Sequence, residues 1–279
     1  MTDPRVLLKK YGLSAKKAWG QNFLLDERVY EAIVRRTVRA PDDWVVEIGA
    51  GLGTLTERLA DAVPAGRVFA VERERDMLDV LERELGGRAN VEICAANALT
   101  FDLGAVAARA QRSIAVAGNL PYQIATPLLF HMLDARAHVS RAVVMLQKEM
   151  ADRLVAKPGS DAYGALGVVI ALVADVAPVV RARAHAFHPV PKVDSTVVAL
   201  TMRTEPRHAV DEAAYGRVVH AAFGQRRKTL RNALRSAFTE GPIDAALTAT
   251  GIDGQRRGET LSTDEFAALA NALDHARAP

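Results

Sequence analysis

Short apolar runs alternating with stretches of helical period constrain this 279-residue chain more than any other feature. Trp44–Ile48, Arg67–Val71, Val91–Cys94, Ile114–Ala117 and Ala142–Leu146 read as strands. Thr54–Ala62, Asp76–Leu85, Leu103–Gln111 and Thr126–Leu133, lying between them, carry the apolar spacing of helices. Strands that are apolar throughout and separated by helices belong to a parallel sheet covered on both faces, so the predicted class is α/β, doubly wound and Rossmann-like. Val176–Arg183 and Ser195–Met202 are Val-rich, flank a loop containing Pro189 and Pro191, and suit an antiparallel addition to that sheet. The texture changes near Thr204-Glu205-Pro206-Arg207. Beyond it only helical stretches occur: Asp211–Phe223, Arg226–Phe238, Ile243–Thr248 and Thr263–Leu273. The expected division is therefore a sheet domain over 1–204, with a basic N-terminal segment at 1–25, and a small all-helical domain over 205–279.

Composition narrows the function classes. With 49% hydrophobic and 25% charged residues the chain has a globular balance, not that of a disordered tail. A single cysteine, Cys94, excludes a disulfide framework and any Cys-based zinc site, and suits a reducing, cytoplasmic setting. The uncharged, strongly apolar run Ala162–Ala174 is shorter than the roughly 18 residues a bilayer-spanning helix needs. Charges in Met1-Thr2-Asp3-Pro4-Arg5 recur too early for a signal peptide, so neither membrane nor secretion is expected. The seven histidines have no metal-ligand spacing, and no metal is expected.

Glu47-Ile48-Gly49-Ala50-Gly51-Leu52-Gly53-Thr54 falls where the first strand should turn into the first helix. Glycines there permit positive φ and close approach of a ligand, and a helix N-terminus offers free N–H groups. A dinucleotide fingerprint needs G-x-G-x-x-G, but its third glycine would fall on Thr54. The pattern G-x-G-x-G after the acid Glu47 instead resembles the first motif of S-adenosylmethionine (AdoMet)-dependent methyltransferases. Glu72 ends the second predicted strand, where nucleotide-binding α/β folds place an acid on the ribose hydroxyls. The plainer alternative is a solvated member of the charge run Glu72-Arg73-Glu74-Arg75-Asp76.

Asn119-Leu120-Pro121-Tyr122 follows the fourth strand, where an open α/β sheet forms its ligand crevice. It resembles the tetrapeptide of methyltransferases acting on exocyclic amines of nucleobases. Adenine N6 is a poor nucleophile because its lone pair is delocalised into the ring. The Asn119 side-chain carbonyl and a backbone carbonyl near Leu120 are suited to accept its two N–H hydrogens and favour a pyramidal, reactive nitrogen. Pro121 locks its own φ and restricts Leu120, and Tyr122 offers a ring face for a flipped or single-stranded base.

Over nearly its whole length the chain resembles the bacterial small-subunit ribosomal RNA adenine dimethyltransferase family. The matching stretches are Lys17–Leu24, the glycine turn, Asn119–Phe130, Leu146–Leu154, Phe187–Ser195 and Phe223–Arg231. The resemblance implies AdoMet-dependent N6,N6-dimethylation of two adjacent adenosines near the 3′ end of 16S RNA in the 30S particle, by a monomer. It implies cofactor contacts from Asn22, Leu24, Glu47, Gly49, Gly51, Glu72, Asn97, Ala98 and Asn119. It implies a catalytic group of Asn119, Leu120, Pro121, Tyr122 and Phe187, with Phe187 opposite Tyr122 in a base sandwich. One departure stands out: the family usually has Asp-Ala-Leu after the third strand, and here the chain reads Asn97-Ala98-Leu99. Asn97 still accepts a hydrogen bond from the cofactor's adenine amine, without charge assistance.

The net charge is only +3, but six Arg or Lys and no acid lie between Ala213 and Thr239. On a helix starting near Arg226, the cations Arg227, Lys228, Arg231 and Arg235 share one arc, with Leu230, Ala233, Leu234 and Ala237 on another side. Single-sign clustering in a near-neutral chain points to phosphate contacts. Lys9, Lys10, Lys16 and Lys17 make a second basic cluster, and Lys148 lies in a matching stretch. Arg226, Arg227, Lys228, Arg231, Arg235, Lys16, Lys17 and Lys148 are thus the expected RNA contacts.

Three other readings compete. Macrolide-resistance dimethyltransferases of 23S RNA share the tetrapeptide, but typically have Lys in the glycine turn and Ile in the tetrapeptide, where this chain has Leu52 and Leu120. A non-catalytic ribosome assembly factor on the same scaffold has Asn97 as its sole support. An NAD dehydrogenase is disfavoured by the glycine spacing.

Overall fold

The computed structural model describes residues 3–16 and 21–275. Lys17, one of the expected RNA contacts, lies outside the described residues. The chain divides into two compact units, Met1–Ala151 with Val176–Met202 and Asp152–Asp175 with Arg203–Pro279.

The first unit opens with helix α1 (Pro4–Lys10), strand β1 (Phe23–Leu24) and helix α2 (Glu27–Thr37). Strand and helix then alternate: β2 (Trp44–Ile48), α3 (Thr54–Ala62), β3 (Arg67–Glu72), α4 (Arg75–Leu85), β4 (Val91–Ala95), α5 (Leu103–Ala110), β5 (Ile114–Asn119), α6 (Ala125–Asp134) and β6 (Val139–Gln147). Helix α7 (Lys148–Val155) leads into the second unit, where helix α8 (Ala165–Val173) follows. The chain returns along β7 (Ala174–Ala182), β8 (Phe187–His188) and β9 (Ser195–Met202).

The large sheet has the order β4-β3-β2-β5-β6-β9-β7. Strands β2 to β6 pair in parallel, and β9 joins β6 antiparallel with Gln147 opposite Ser195. The doubly wound sheet and its antiparallel addition are as the apolar periodicity predicts. Strands β2, β5 and β6 are apolar on both sides because both faces are covered. One face packs Val45, Val143 and Met145 against Tyr30 and Ile33 of α2 and Leu55 and Leu59 of α3. The other packs Ala70 against Leu81 and Leu85 of α4, with Leu7, Leu8, Leu52, Met77 and Val80 in an adjoining cluster. Burying each such Leu or Val contributes about 1.5–3 kcal/mol, so these faces fix how the strand ends are arranged.

The first three elements carry no alternating signature and escaped the sequence reading. The N-terminus of α1 is capped by Asp3, whose carboxylate accepts the Arg5 N–H at 2.8 Å. β1 pairs with β8, Leu24 opposite Phe187.

The second unit contains α8 with helices α9 (Glu212–Gly224), α10 (Leu230–Leu234), α11 (Glu240–Thr250) and α12 (Thr263–His275). Its composition corrects the expected boundary, because residues 152–175 join the C-terminal helices. Sequence texture does not reveal this: α8 is apolar all round, and such a helix is buried wherever partners cover both its sides. Gly167 lets α8 lie against the preceding chain, since a Cβ there would meet the Arg153 carbonyl oxygen at 2.4 Å. Tyr163 donates to the Leu261 carbonyl at 2.8 Å, and Phe223 bridges the Tyr163 and Phe266 rings. A second correction concerns the predicted helix over 226–238, of which only Leu230–Leu234 is helical. Extended Thr229 precedes it, and residues 225–228 form turns. Among the described residues no helix is long and apolar enough to cross a membrane.

Candidate active site

A cavity of about 390 Å³ opens at the carboxyl ends of β2, β3, β4 and β5. An open α/β sheet binds ligands there, because the helices that follow successive strands diverge to opposite faces.

Its floor is the glycine turn. Gly49, Gly51 and Gly53 have φ of +73°, +56° and +79°, values that favour glycine. A Cβ on Gly53 would also meet Leu85 Cδ1 at 2.7 Å, so this glycine seats the turn against α4. Between them Leu52 is 2% exposed and anchors the turn in the apolar cluster with Leu7 and Met77. Glu72 locks the arrangement. Its Oε2 accepts the Gly51 N–H at 3.0 Å, and its Oε1 accepts those of Arg73 and Glu74 at 2.8 and 2.9 Å.

Glu47 also lines the cavity but is only 2% exposed. The Thr56 hydroxyl donates to its Oε2 at 2.5 Å. Burial, with a further contribution from the charge of Glu72, pushes its carboxyl up to about 8 against the effect of that hydrogen bond. At neutral pH the acid is largely protonated.

Asn119 ends β5 next to the glycine turn because Gly118 permits it: a Cβ at Gly118 would meet the Ile48 carbonyl oxygen at 2.5 Å. The Asn119 Nδ2 donates to the Asn22 carbonyl at 2.9 Å, which leaves Oδ1 as the acceptor of that amide. Leu120 holds the turn from below, with its side chain 1% exposed and its N–H on the Met145 carbonyl at 3.2 Å. Pro121 has φ −59°, and Tyr122 begins a short 3₁₀ turn. The Tyr122 ring is half-buried, and its hydroxyl lies 2.8 Å from Ser195 Oγ. Burial raises its pKa above that of a free tyrosine.

The segment Asn22–Leu24 lines the same cavity, held there by β8. Leu25 N–H donates to the Ala186 carbonyl at 2.7 Å, and Tyr30 donates to the Leu24 carbonyl at 2.8 Å. Ala98 and Asn97 line the cavity beyond β4. Asn97 Oδ1 accepts the Leu99 N–H at 3.1 Å, an Asx turn that an aspartate would form equally well.

The cavity thus brings together Asn22, Leu24, Glu47, Gly49, Gly51, Glu72, Asn97, Ala98, Asn119, Leu120, Pro121 and Tyr122. It does not include Phe187. That ring is 1% exposed and packs with Leu24, Val29 and Ile33 in the core under α2, so the expected sandwich with Tyr122 is not formed in this arrangement. Strand alternation is the reason: β8 pairs with β1 and turns Phe187 inward while His188 is exposed. Residues missed in the sequence are Tyr30, Thr56 and Ser195, whose polar atoms fix the lining. Only Ser195 had a signal, its place in the Phe187–Ser195 stretch.

The expected RNA contacts fare unevenly. Lys16 is engaged within the fold, on Glu74 and on Asp76 at 2.8 Å. Lys10 pairs with Glu84 at 2.5 Å, so the N-terminal cluster is offset by acids remote in sequence. In the helical unit Arg231 pairs with Asp244 at 2.5 Å, Arg235 with Glu240 at 2.7 Å and Arg226 with Glu259 at 3.8 Å. These acids correct the picture of a single-sign face. Arg227 and Lys228 are exposed and form no ion pair among the described residues. Half-buried Lys148 donates its backbone N–H to the Asp194 carbonyl at 2.9 Å.

Comparison with known proteins agrees with this geometry. A ribosomal RNA small subunit methyltransferase A from Myxococcus xanthus is 50% identical over 277 residues, covering 98% of this chain and 96% of that protein. The crystal structure of the 23S rRNA methyltransferase ErmE is similar with a TM-score of 0.69 at 26% identity, covering 90% of this chain and 99% of that one. A dimethyladenosine transferase from Plasmodium falciparum shares the fold with a TM-score of 0.74 at 24% identity, over 88% and 95% of the two chains. The sequence profile of the ribosomal RNA adenine dimethylase family matches residues 12–275, and with the cavity built from that family's motifs this chain belongs to it.

Proposed function

We propose that this protein transfers methyl groups from AdoMet to the N6 amines of two adjacent adenosines near the 3′ end of 16S rRNA. In this reading it acts as a monomer on the 30S particle in the cytoplasm, as a step of ribosome biogenesis. The observation that carries the proposal is that the Asn119–Tyr122 turn and the glycine turn with Glu72 face one cavity. Relatives named for small-subunit rRNA methylation, matching end to end, support the choice of RNA.

The residues present fit AdoMet. Glu72 sets a carboxylate against the cavity, suited to the hydroxyls and positive charge of such a ligand, with the buried acid Glu47 beside it. A carboxylate has roughly four acceptor sites. Three on Glu72 are taken by backbone N–H groups, leaving capacity on Oε2 for ribose hydroxyls. Val71, Ala98 and Leu99 offer apolar lining for an adenine ring. When bound, AdoMet supplies an electrophilic methyl group on a positively charged sulfur.

The chain's own part is to make N6 nucleophilic and to hold it still. Asn119 Oδ1, oriented by the Nδ2 bond to Asn22, accepts one N–H of the amine, and the Leu120 carbonyl accepts the other. Both acceptors draw on the amine as its charge develops, where preorganised dipoles act most strongly. Buried Leu120 and the fixed φ of Pro121 keep the two acceptors in place. Tyr122 stacks on the base.

Labelled methyl transfer to unmodified 30S subunits, compared with 50S subunits, tests the reading. Transfer to 30S is expected. Transfer to 50S alone would favour a 23S enzyme, and no transfer to either would favour an assembly factor. Asn119→Ala should abolish transfer while changing AdoMet affinity little, the profile of lost transition-state stabilisation. Glu72→Ala should weaken AdoMet about tenfold or more, the worth of a charged hydrogen bond.

A further inference from the structure

Between Asp175 and Asp194 the chain carries no acid, but it carries Arg181, Arg183, His185, His188 and Lys192, all exposed. Unlike the arginines at 226, 231 and 235, Arg181, Arg183 and Lys192 form no ion pair among the described residues. Asp194 Oδ1 accepts the Ala184 N–H at 2.9 Å, and Asp3, close enough to feel His188, is paired with Arg5 at 2.6 Å.

Topology brings this segment to the active site. β7 is the outermost strand of the sheet, and its alternation buries Ala182 while Arg181 and Arg183 face solvent on the same side. The Ala184–Asp194 hydrogen bond ties the segment back to the start of β9. There Ser195 lies opposite Gln147, at the carboxyl edge of the sheet, and its hydroxyl meets that of Tyr122 at 2.8 Å. The same loop exposes two large apolar side chains, Val190 at 65% and Val193 at 44%. Unpaired cations interleaved with apolar contact points, with Lys192 three residues from the serine bonded to a base-stacking tyrosine, suit a flexible polyanion carrying planar bases.

We propose that Arg181, Arg183 and Lys192 form a phosphate-binding rim that grips single-stranded RNA next to the adenosine presented to Tyr122. This rests on the RNA-methylating reading above. The rim belongs to the catalytic unit and is separate from the basic turn at Arg227 and Lys228. Its task is to position the strand, and it contributes no group to the chemistry.

The test is titration of the full-length protein with a fluorescein-labelled oligoadenylate of about 12 nucleotides at several KCl concentrations. Each phosphate contact on a single strand contributes about 0.7 to the slope of log affinity against log salt. Replacing all three residues by Gln should therefore reduce the slope by about 2. The affinity at low salt should fall at least tenfold. AdoMet affinity and melting temperature, measured on the same samples, should stay at wild-type values. Arg181→Lys with Arg183→Lys should retain the wild-type slope. An unchanged slope in the Gln variant overturns the rim and leaves methyl transfer to 30S untouched. Polyglutamate displacing the oligonucleotide as well as unlabelled oligoadenylate would also overturn it, since the surface would then recognise anions in general. Failure of the wild-type protein to methylate 30S subunits would sink the functional reading instead.

Discussion

The hydroxyl of Tyr122 lies 2.8 Å from Ser195 Oγ, joining the turn after β5 to the first residue of the antiparallel strand β9. Ser195 is fully buried, so the bond is made in a medium that strengthens it and fixes the tilt of a half-buried ring. Strand β9 thereby helps to position the Tyr122 ring, although none of its residues lines the cavity.

Removing that bond is expected to slow catalysis without weakening the cofactor. Ser195→Ala should lower kcat about three- to tenfold, the worth of one hydrogen bond of roughly 0.5–1.5 kcal/mol. AdoMet affinity should be unchanged. In a Tyr122→Phe background the same serine change should have little further effect, because the two act as one unit. Additive losses in the double variant would show that Ser195 works through something other than the tyrosine hydroxyl.

Asn97→Asp should tighten AdoMet several-fold. A charged acceptor improves on a neutral one by roughly 1 kcal/mol, and the aspartate would keep the Asx turn that now holds the Leu99 N–H. Calorimetric titration of both proteins decides. Equal or weaker binding by the aspartate variant would mean that Asn97 serves the loop and not the cofactor.

Glu47 makes stability depend on pH. Its folded pKa of about 8 lies above the ordinary 4.5, so the folded chain holds an extra proton between those values. The associated stability is fully present below about 4.5 and is lost as pH rises through about 8. Relative to Glu47→Gln, which mimics the neutral acid, the wild-type melting temperature should therefore fall steadily across that window. A constant difference between the two proteins would show that Glu47 does not change ionisation there.

In the helical unit, Arg227→Gln with Lys228→Gln should weaken 30S binding more than Arg231→Gln with Arg235→Gln. The first pair is exposed and forms no ion pair among the described residues, whereas the second is neutralised by Asp244 and Glu240. Two phosphate contacts on duplex RNA should change the salt slope by about 2. The ion-paired arginines should change it by less. Equal changes in slope would show that RNA displaces both acids.

Much of this protein was legible from residues alone because local constraints reach only a few positions along the chain. Three glycines two apart demanded a turn of positive φ at Gly49, Gly51 and Gly53, and the apolar strands demanded a sheet covered on both faces. The alternation of strands and helices and the place of the glycine turn after β2 followed from such short-range rules. Charge pairing and burial did not, because they depend on residues brought together across tens of positions. Lys16 and Arg231 looked like cations awaiting phosphate until the fold supplied Glu74, Asp76 and Asp244. Phe187 looked like a stacking ring until the pairing of β8 with β1 turned it into the core. Nothing local singled out Arg181, Arg183 and Lys192, since only the tertiary structure decided which cations would be left without an ion pair among the described residues.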